Sequence, residues 1–212
     1  MCKINFKKTL PYIGSILFMI ILSYIYFSPD ILEGKVLFQG DTQQGIAIGQ
    51  EGKAFREATG ETTRWTNSLF SGMPNFQISP SYANNYWMGQ IGRIYHLGLQ
   101  SPASLVFIMM LGFFILLSAM KIRWYLALVG AIAYAFSSYF FIIIGAGHIW
   151  KFITLAYIPP TIAGIILAYR GKYIGGAALI GFFGMMQITS NHIQMSYYFM
   201  FFIAALVIAY FF

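Results

Sequence analysis

Residues 103–144 read ASLVFIMMLGFFILLSAM, then KIR, then WYLALVGAIAYAFSSYFFIII. Two charge-free runs of 18 and 21 residues flank the basic turn Lys121-Ile122-Arg123. Roughly 17–25 apolar residues cross a hydrocarbon core about 30 Å thick. Inside that core every backbone group must bond within its own segment, so such runs are helices. The stretch therefore reads as a transmembrane hairpin, and it sets the fold class: an all-α membrane protein.

Outward from it, four more charge-free runs cover 11–27, 152–169, 173–188 and 195–212. With 103–120 and 124–144 they make about six transmembrane helices in a polytopic bundle. The shorter runs span if flanking residues extend the helix or the bilayer thins. Composition agrees: the 212 residues are 58% hydrophobic and 9% charged, against about 25% charged in soluble domains. Pro159-Pro160 in the fourth run predicts a kinked or broken helix. The chain ends on Tyr210-Phe211-Phe212, still inside an apolar run, which gives the expectation of an N-terminal part of a longer protein.

The net charge of +7 is placed for membrane topology rather than for nucleic acid. Lys3, Lys7, Lys8, Lys121, Arg123, Arg170 and Lys172 lie at run ends with no acidic neighbours, as in cytoplasmic segments. The N-terminus is then cytoplasmic, and 28–102 forms a long first extracytoplasmic loop. That loop holds all six carboxylates, Asp30, Glu33, Asp41, Glu51, Glu57 and Glu61. The lone Cys2 allows no intrachain disulfide. A secretory signal also starts with basic residues and an apolar run, but here no small-residue cleavage motif follows, so the first span stays.

A 75-residue loop is too long to be a passive connector. Residues 41–59 read as a helix stopped by Gly60, with Lys53 and Glu57 as an i,i+4 pair. Gly72-Met73-Pro74 reads as a turn. Residues 86–97 place Trp87, Ile91, Ile94 and Tyr95 at helical spacing, as in a helix lying in the headgroup layer. The loop is thus expected to carry short amphipathic helices lying on the bundle.

Chemistry is sought at the outer face. Asp41 could act as a general base, ligate a divalent cation, or cap a helix. Glu51, Glu57 and Glu61 lie among Lys53, Arg56 and Arg64, where solvated ion pairs compete with a catalytic role. Trp65 beside Asn67 suits a sugar face and its hydroxyls, or else an interfacial ring and a turn amide. In the outer turn 145–151, His148 and Lys151 are three apart and could hold phosphate; snorkelling and capping are the alternatives. Residues 173–212 carry no formal charge, so the polar cluster with Asn191, His192 and Gln194 must form a short hairpin at the outer face. Polar groups at that depth mark function or helix–helix contact. Asp41, His148, Lys151 and His192 are expected to converge. No P-loop, Rossmann fingerprint or catalytic serine motif is present.

Four blocks carry a resemblance: Gly40-Asp41-Thr42-Gln43-Gln44; Trp65-Thr66-Asn67-Ser68-Leu69-Phe70-Ser71-Gly72-Met73-Pro74; Gly147-His148-Ile149-Trp150-Lys151; and Asn191-His192-Ile193-Gln194-Met195. Together they resemble the YfhO family of bacterial membrane proteins, in its Bacteroidetes versions. That family is similar to the C-type glycosyltransferase superfamily, polytopic enzymes that use polyprenyl-phosphate-linked sugars on the extracytoplasmic side. The resemblance implies Asp41 as the catalytic acidic residue, with Glu51 or Glu57 as a second. Arg64, His148 and Lys151 would hold phosphate, and a Mg or Mn ion could sit at Asp41. The implied setting is the bacterial inner membrane, with membrane lipids, a polyprenyl-phosphate sugar donor and an envelope glycan or polymer acceptor. A lipid or glycan transporter or flippase, and a non-catalytic scaffold subunit, are the alternatives.

Overall fold

The computed structural model describes residues 6–76 and 85–211. Cys2, Lys3 and the loop residues 77–84 lie outside the described residues. The described chain is almost wholly helical. Its elements are α1 (Phe6–Tyr26), α2 (Ser28–Leu32), α3 (Gly40–Thr59), β1 (Trp65–Thr66), β2 (Met73–Pro74), α4 (Asn85–Tyr95), α5 (Ala103–Ala119), α6 (Trp124–Ala135), α7 (Ser138–Ala146), α8 (Ile149–Tyr169), α9 (Tyr173–Thr189) and α10 (Ile193–Phe211).

By length and apolar character, α1, α8 and α10 can each cross a membrane. A fourth crossing is available if α6 and α7, bent by 45° at their break, count as one. Helices α5 and α9 have 17 residues each, about 26 Å at 1.5 Å per residue. That falls short of the hydrocarbon thickness, so length and apolar character support three or four of the six expected spans.

Of the kink or break expected at Pro159-Pro160, no break occurs. Helix α8 runs unbroken from Ile149 to Tyr169 with both prolines inside. Proline lacks an N–H, so the Leu155 and Ala156 carbonyls lose their i+4 donors. The packing accommodates this: a Cβ placed on Gly112 of α5 would lie 2.6 Å from the Ala156 oxygen. The bare glycine lets the α5 backbone close over that carbonyl. The bend falls instead at Phe136-Ser137, before the serine pair Ser137-Ser138.

Helix α5 is the centre. Residues 103–110 are buried on every side, as expected of a helix that is apolar all round. It packs on α1, α6 and α8, and α8 in turn packs along α9. At that second seam Gly164 and Gly176 face each other, each within 2.8 Å of the other's carbonyl if given a Cβ. Small residues at a helix crossing allow such an approach. Helix α10 buries little beyond Phe199.

Helix α4 docks on α8 and α9 through Ile91 and Tyr95, which meet Tyr157, Phe183 and Met186. Helix α3 behaves differently from the expected amphipathic helix: it has no buried residue, and Phe55 is exposed. Its boundaries follow the sequence, with Gly60 closing it at φ +75°.

Candidate functional site

The site is built where the start of α3 meets the turn between α7 and α8. Helix α7 closes on Gly147 at φ +95°, and the His148 N–H returns to the Ile143 carbonyl at 2.9 Å. This is the glycine-ended closure common at helix C-termini. Helix α8 starts immediately, with His148 at its N-cap position and Lys151 in its first turn. The expected outer turn 145–151 is thus reduced to two residues between helices.

Two contacts clamp α3 to this turn. The Gln39 side-chain amide donates to the Ile144 carbonyl at 2.7 Å, and the Thr42 hydroxyl donates to the Gln39 side-chain oxygen at 3.0 Å. Gly147 is required twice over. Its φ favours glycine, and a Cβ there would come within 2.9 Å of the Thr42 nitrogen and hydroxyl. The clamp brings the Asp41 carboxylate to 2.8 Å from Nδ1 of His148, with both side chains about half exposed. Asp41 is therefore not the helix cap; Gln39 holds that position.

Asp41, His148, Lys151 and His192 line one open cavity of about 900 Å³. Its long wall is the α3 face bearing Gly45 and Gly49, where missing side chains leave the space open, and it continues to Lys53 and Arg56. Asp41 is the one acid in a lining that holds Lys53, Arg56 and Lys151. Lys151 lies 5.4 Å from the centre of the Tyr139 ring. Partial burial, with the nearby charge of Lys151, holds His192 below the usual imidazole range. Its Nδ1 accepts the Met195 N–H at 3.3 Å.

Other expected site residues lie elsewhere. Glu51 accepts five hydrogen bonds: from the Thr66 hydroxyl, the Asn67 N–H and side-chain amide, and the Ser68 N–H and hydroxyl, all at 2.7–3.0 Å. Those donors, the Thr66 hydroxyl foremost, lower its pKa to about 2. Strands β1 and β2 pair Trp65 with Pro74 and Thr66 with Met73. Gly72, at φ +118°, lies under the Trp65 ring, where a Cβ would fall 2.8 Å from it. The Trp65 indole N–H donates to the Asn67 side-chain oxygen at 3.2 Å. Both ends of the Asn67 amide are thus engaged, one by Trp65 of the hairpin and the other by Glu51 of α3. Glu57 pairs with Lys53 at 3.8 Å and is exposed. Asn191 donates to the Phe76 carbonyl at 3.0 Å, tying the hairpin to the α9–α10 turn, and Gln194 donates to the Tyr198 hydroxyl. None of Glu51, Glu57, Arg64, Trp65, Asn67, Asn191 or Gln194 is among the residues lining the 900 Å³ cavity.

The sequence reading missed Gln39, Lys53, Arg56 and the glycine wall. The signal was there in principle, since Gly45, Gly49 and Gly52 recur at helical spacing and leave one face without side chains. A second cavity, of about 530 Å³, lies beside the seat of α4 on α8 and α9, with Arg93, His96 and Ser190 in its lining. Trp150 lines both cavities. Burial lowers the His96 pKa, and its Nε2 lies 3.2 Å from the Tyr157 hydroxyl.

Among the described residues no three His, Cys, Asp or Glu side chains gather as a metal site. No family model, curated protein or solved structure matches this chain.

Proposed function

We propose that this chain is a YfhO-like, six-span protein of the bacterial inner membrane, with its N-terminus in the cytoplasm. On this reading it transfers sugar from a polyprenyl-phosphate donor to an envelope glycan or polymer at the outer face. The supporting observation is the meeting of Asp41, His148, Lys151 and His192 around one cavity at the start of α8. An acid–base pair and a cation there match the two needs of glycosyl transfer, which are removing the acceptor proton and stabilising the departing phosphate.

Lys151, in the first turn of α8, supplies the charge for the phosphate, and the N–H groups at the helix start add to it. Lys53 and Arg56 extend the basic lining along α3. The phosphate role expected for Arg64 passes to these two, because they line the cavity and Arg64 does not. Trp65 and Asn67 act through the hairpin rather than on the sugar. In membranes, wild type is expected to transfer radiolabelled sugar from polyprenyl-phosphate donors into envelope material, and Lys151→Met at least tenfold less. Equal transfer by both proteins removes Lys151 from the site; absence of transfer by wild type with every donor sinks the reading.

The bent α6–α7 pair favours a transporter as the second reading, because broken helices line transport sites. Such sites place ionisable groups near the midplane, and residues 124–146 contain no Asp, Glu, Lys, Arg or His. Movement of donor lipid across vesicles without transfer would favour it.

A further inference from the structure

We propose that the acceptor proton goes to Nε2 of His148, and that Asp41 is the positioning residue that holds this imidazole. The inference rests on the glycosyl-transfer reading above and reassigns its base.

The geometry carries it. With Asp41 Oδ2 at 2.8 Å, Nδ1 is the nitrogen that keeps its hydrogen, and Nε2 is left as the acceptor. Among the described residues Nε2 has no protein partner, while His148 lines the cavity. The backbone that carries the ring is fixed on both sides: the His148 backbone N–H goes to the Ile143 carbonyl at 2.9 Å, and the His148 carbonyl receives the Phe152 N–H at 3.0 Å. Asp41 is fixed just as firmly, since Gln39 and Thr42 bind its helix end to the same turn. Two residues more than a hundred positions apart are thus held in one orientation by contacts that involve neither side chain.

The other groups around the cavity do not offer an oriented base. Nδ1 of His192 accepts a backbone N–H rather than donating to a carboxylate. Lys53, Arg56 and Lys151 are cations, and Lys53 is shared with Glu57. Asp41 itself has one oxygen committed to His148.

In the step, the acceptor hydroxyl oxygen forms a bond to the anomeric carbon and its proton passes to Nε2. The bond from that carbon to the donor phosphate oxygen breaks, and its electron pair leaves with the phosphate. The new imidazolium is neutralised by Asp41, and its proton later returns to solvent. A carboxylate already bonded to the imidazole meets the arriving charge without rearrangement.

The test measures transfer by wild type, His148→Ala and Asp41→Asn in native membranes, with and without imidazole in the buffer. His148→Ala is expected to lose about 10²–10⁴-fold in kcat, the usual range for a general base, with KM for the donor little changed. Added imidazole restores part of that rate. Asp41→Asn falls too but gains nothing from imidazole, because the His148 ring still fills the position. If His148→Ala keeps near-wild-type kcat, or loses it without rescue while Asp41→Ala is rescued by formate, the carboxylate is the base and the proposal is overturned. Rescue by imidazole also shows that loss in His148→Ala is not misfolding. If wild type transfers no sugar, both the reading and this inference fall; if wild type transfers and only rescue fails, the inference falls alone.

Discussion

Asp41 and Glu51 stand ten residues apart on the same exposed helix, about 15 Å along its axis, and they are used in opposite ways. Glu51 is saturated: five donors from three consecutive residues surround it, and no cavity residue is among them. Among the described residues Asp41 has one side-chain partner, a histidine, and it lines an open cavity. A carboxylate with all its acceptor sites filled is held in its charged form and organises a loop. One with a single titratable partner keeps capacity for proton chemistry. The difference cannot be found from residue type, since both are acids in one outer loop.

The largest expected effects break this contrast on the Asp41 side. Gly45→Trp places a ring into open space, where an added Cβ meets nothing within 4 Å. Sugar transfer is expected to stop while the melting temperature changes little, which a paired activity and thermal-shift measurement checks. Gly147→Ala acts by uncoupling: the left-handed φ and the Thr42 contact together cost about 1–3 kcal/mol. A disulfide between cysteines placed at Gln39 and Ile144 should then form more slowly than in the same pair with Gly147 retained.

On the Glu51 side the expected result is structural. Glu51→Ala leaves the Thr66, Asn67 and Ser68 donors without their acceptor, so limited proteolysis should cut residues 66–71 faster. Transfer should fall far less than in Asp41→Asn. The smallest effect is with pH. A carboxyl lowered to about 2 from 4.5 contributes stability that is complete above about 4.5 and is lost as pH falls through about 2. The amide resonances of Asn67 and Ser68 should therefore stay native at pH 4 and shift with a midpoint near 2.

Much of the helical framework was legible in the sequence. Basic turns at Lys121–Arg123 and Arg170–Lys172 mark real helix ends, because charge cannot stay in hydrocarbon. Gly60 ends α3 as read, through its positive φ. The prolines do not end α8, which continues through them, and Gly112, 47 residues from Pro159 in sequence, lets α5 pack against the Ala156 carbonyl. The site was half legible. His148 and Lys151 announce themselves by residue type and place, whereas the clamp through Gln39 depends on a contact across 105 residues. Trp65 and Asn67 look like ligand groups in sequence because indole and amide are the same donors whether they meet a sugar or each other.

Helix α8 is 21 residues long, about 31 Å, and it is fastened at both ends. His148 meets Asp41 at one end, and at the other the Arg170 guanidinium donates to the Ala119 carbonyl at the end of α5. It runs without a break through both prolines, as one element between the two fastenings. The two fastenings join α8 to the start of α3 at one end and to the end of α5 at the other.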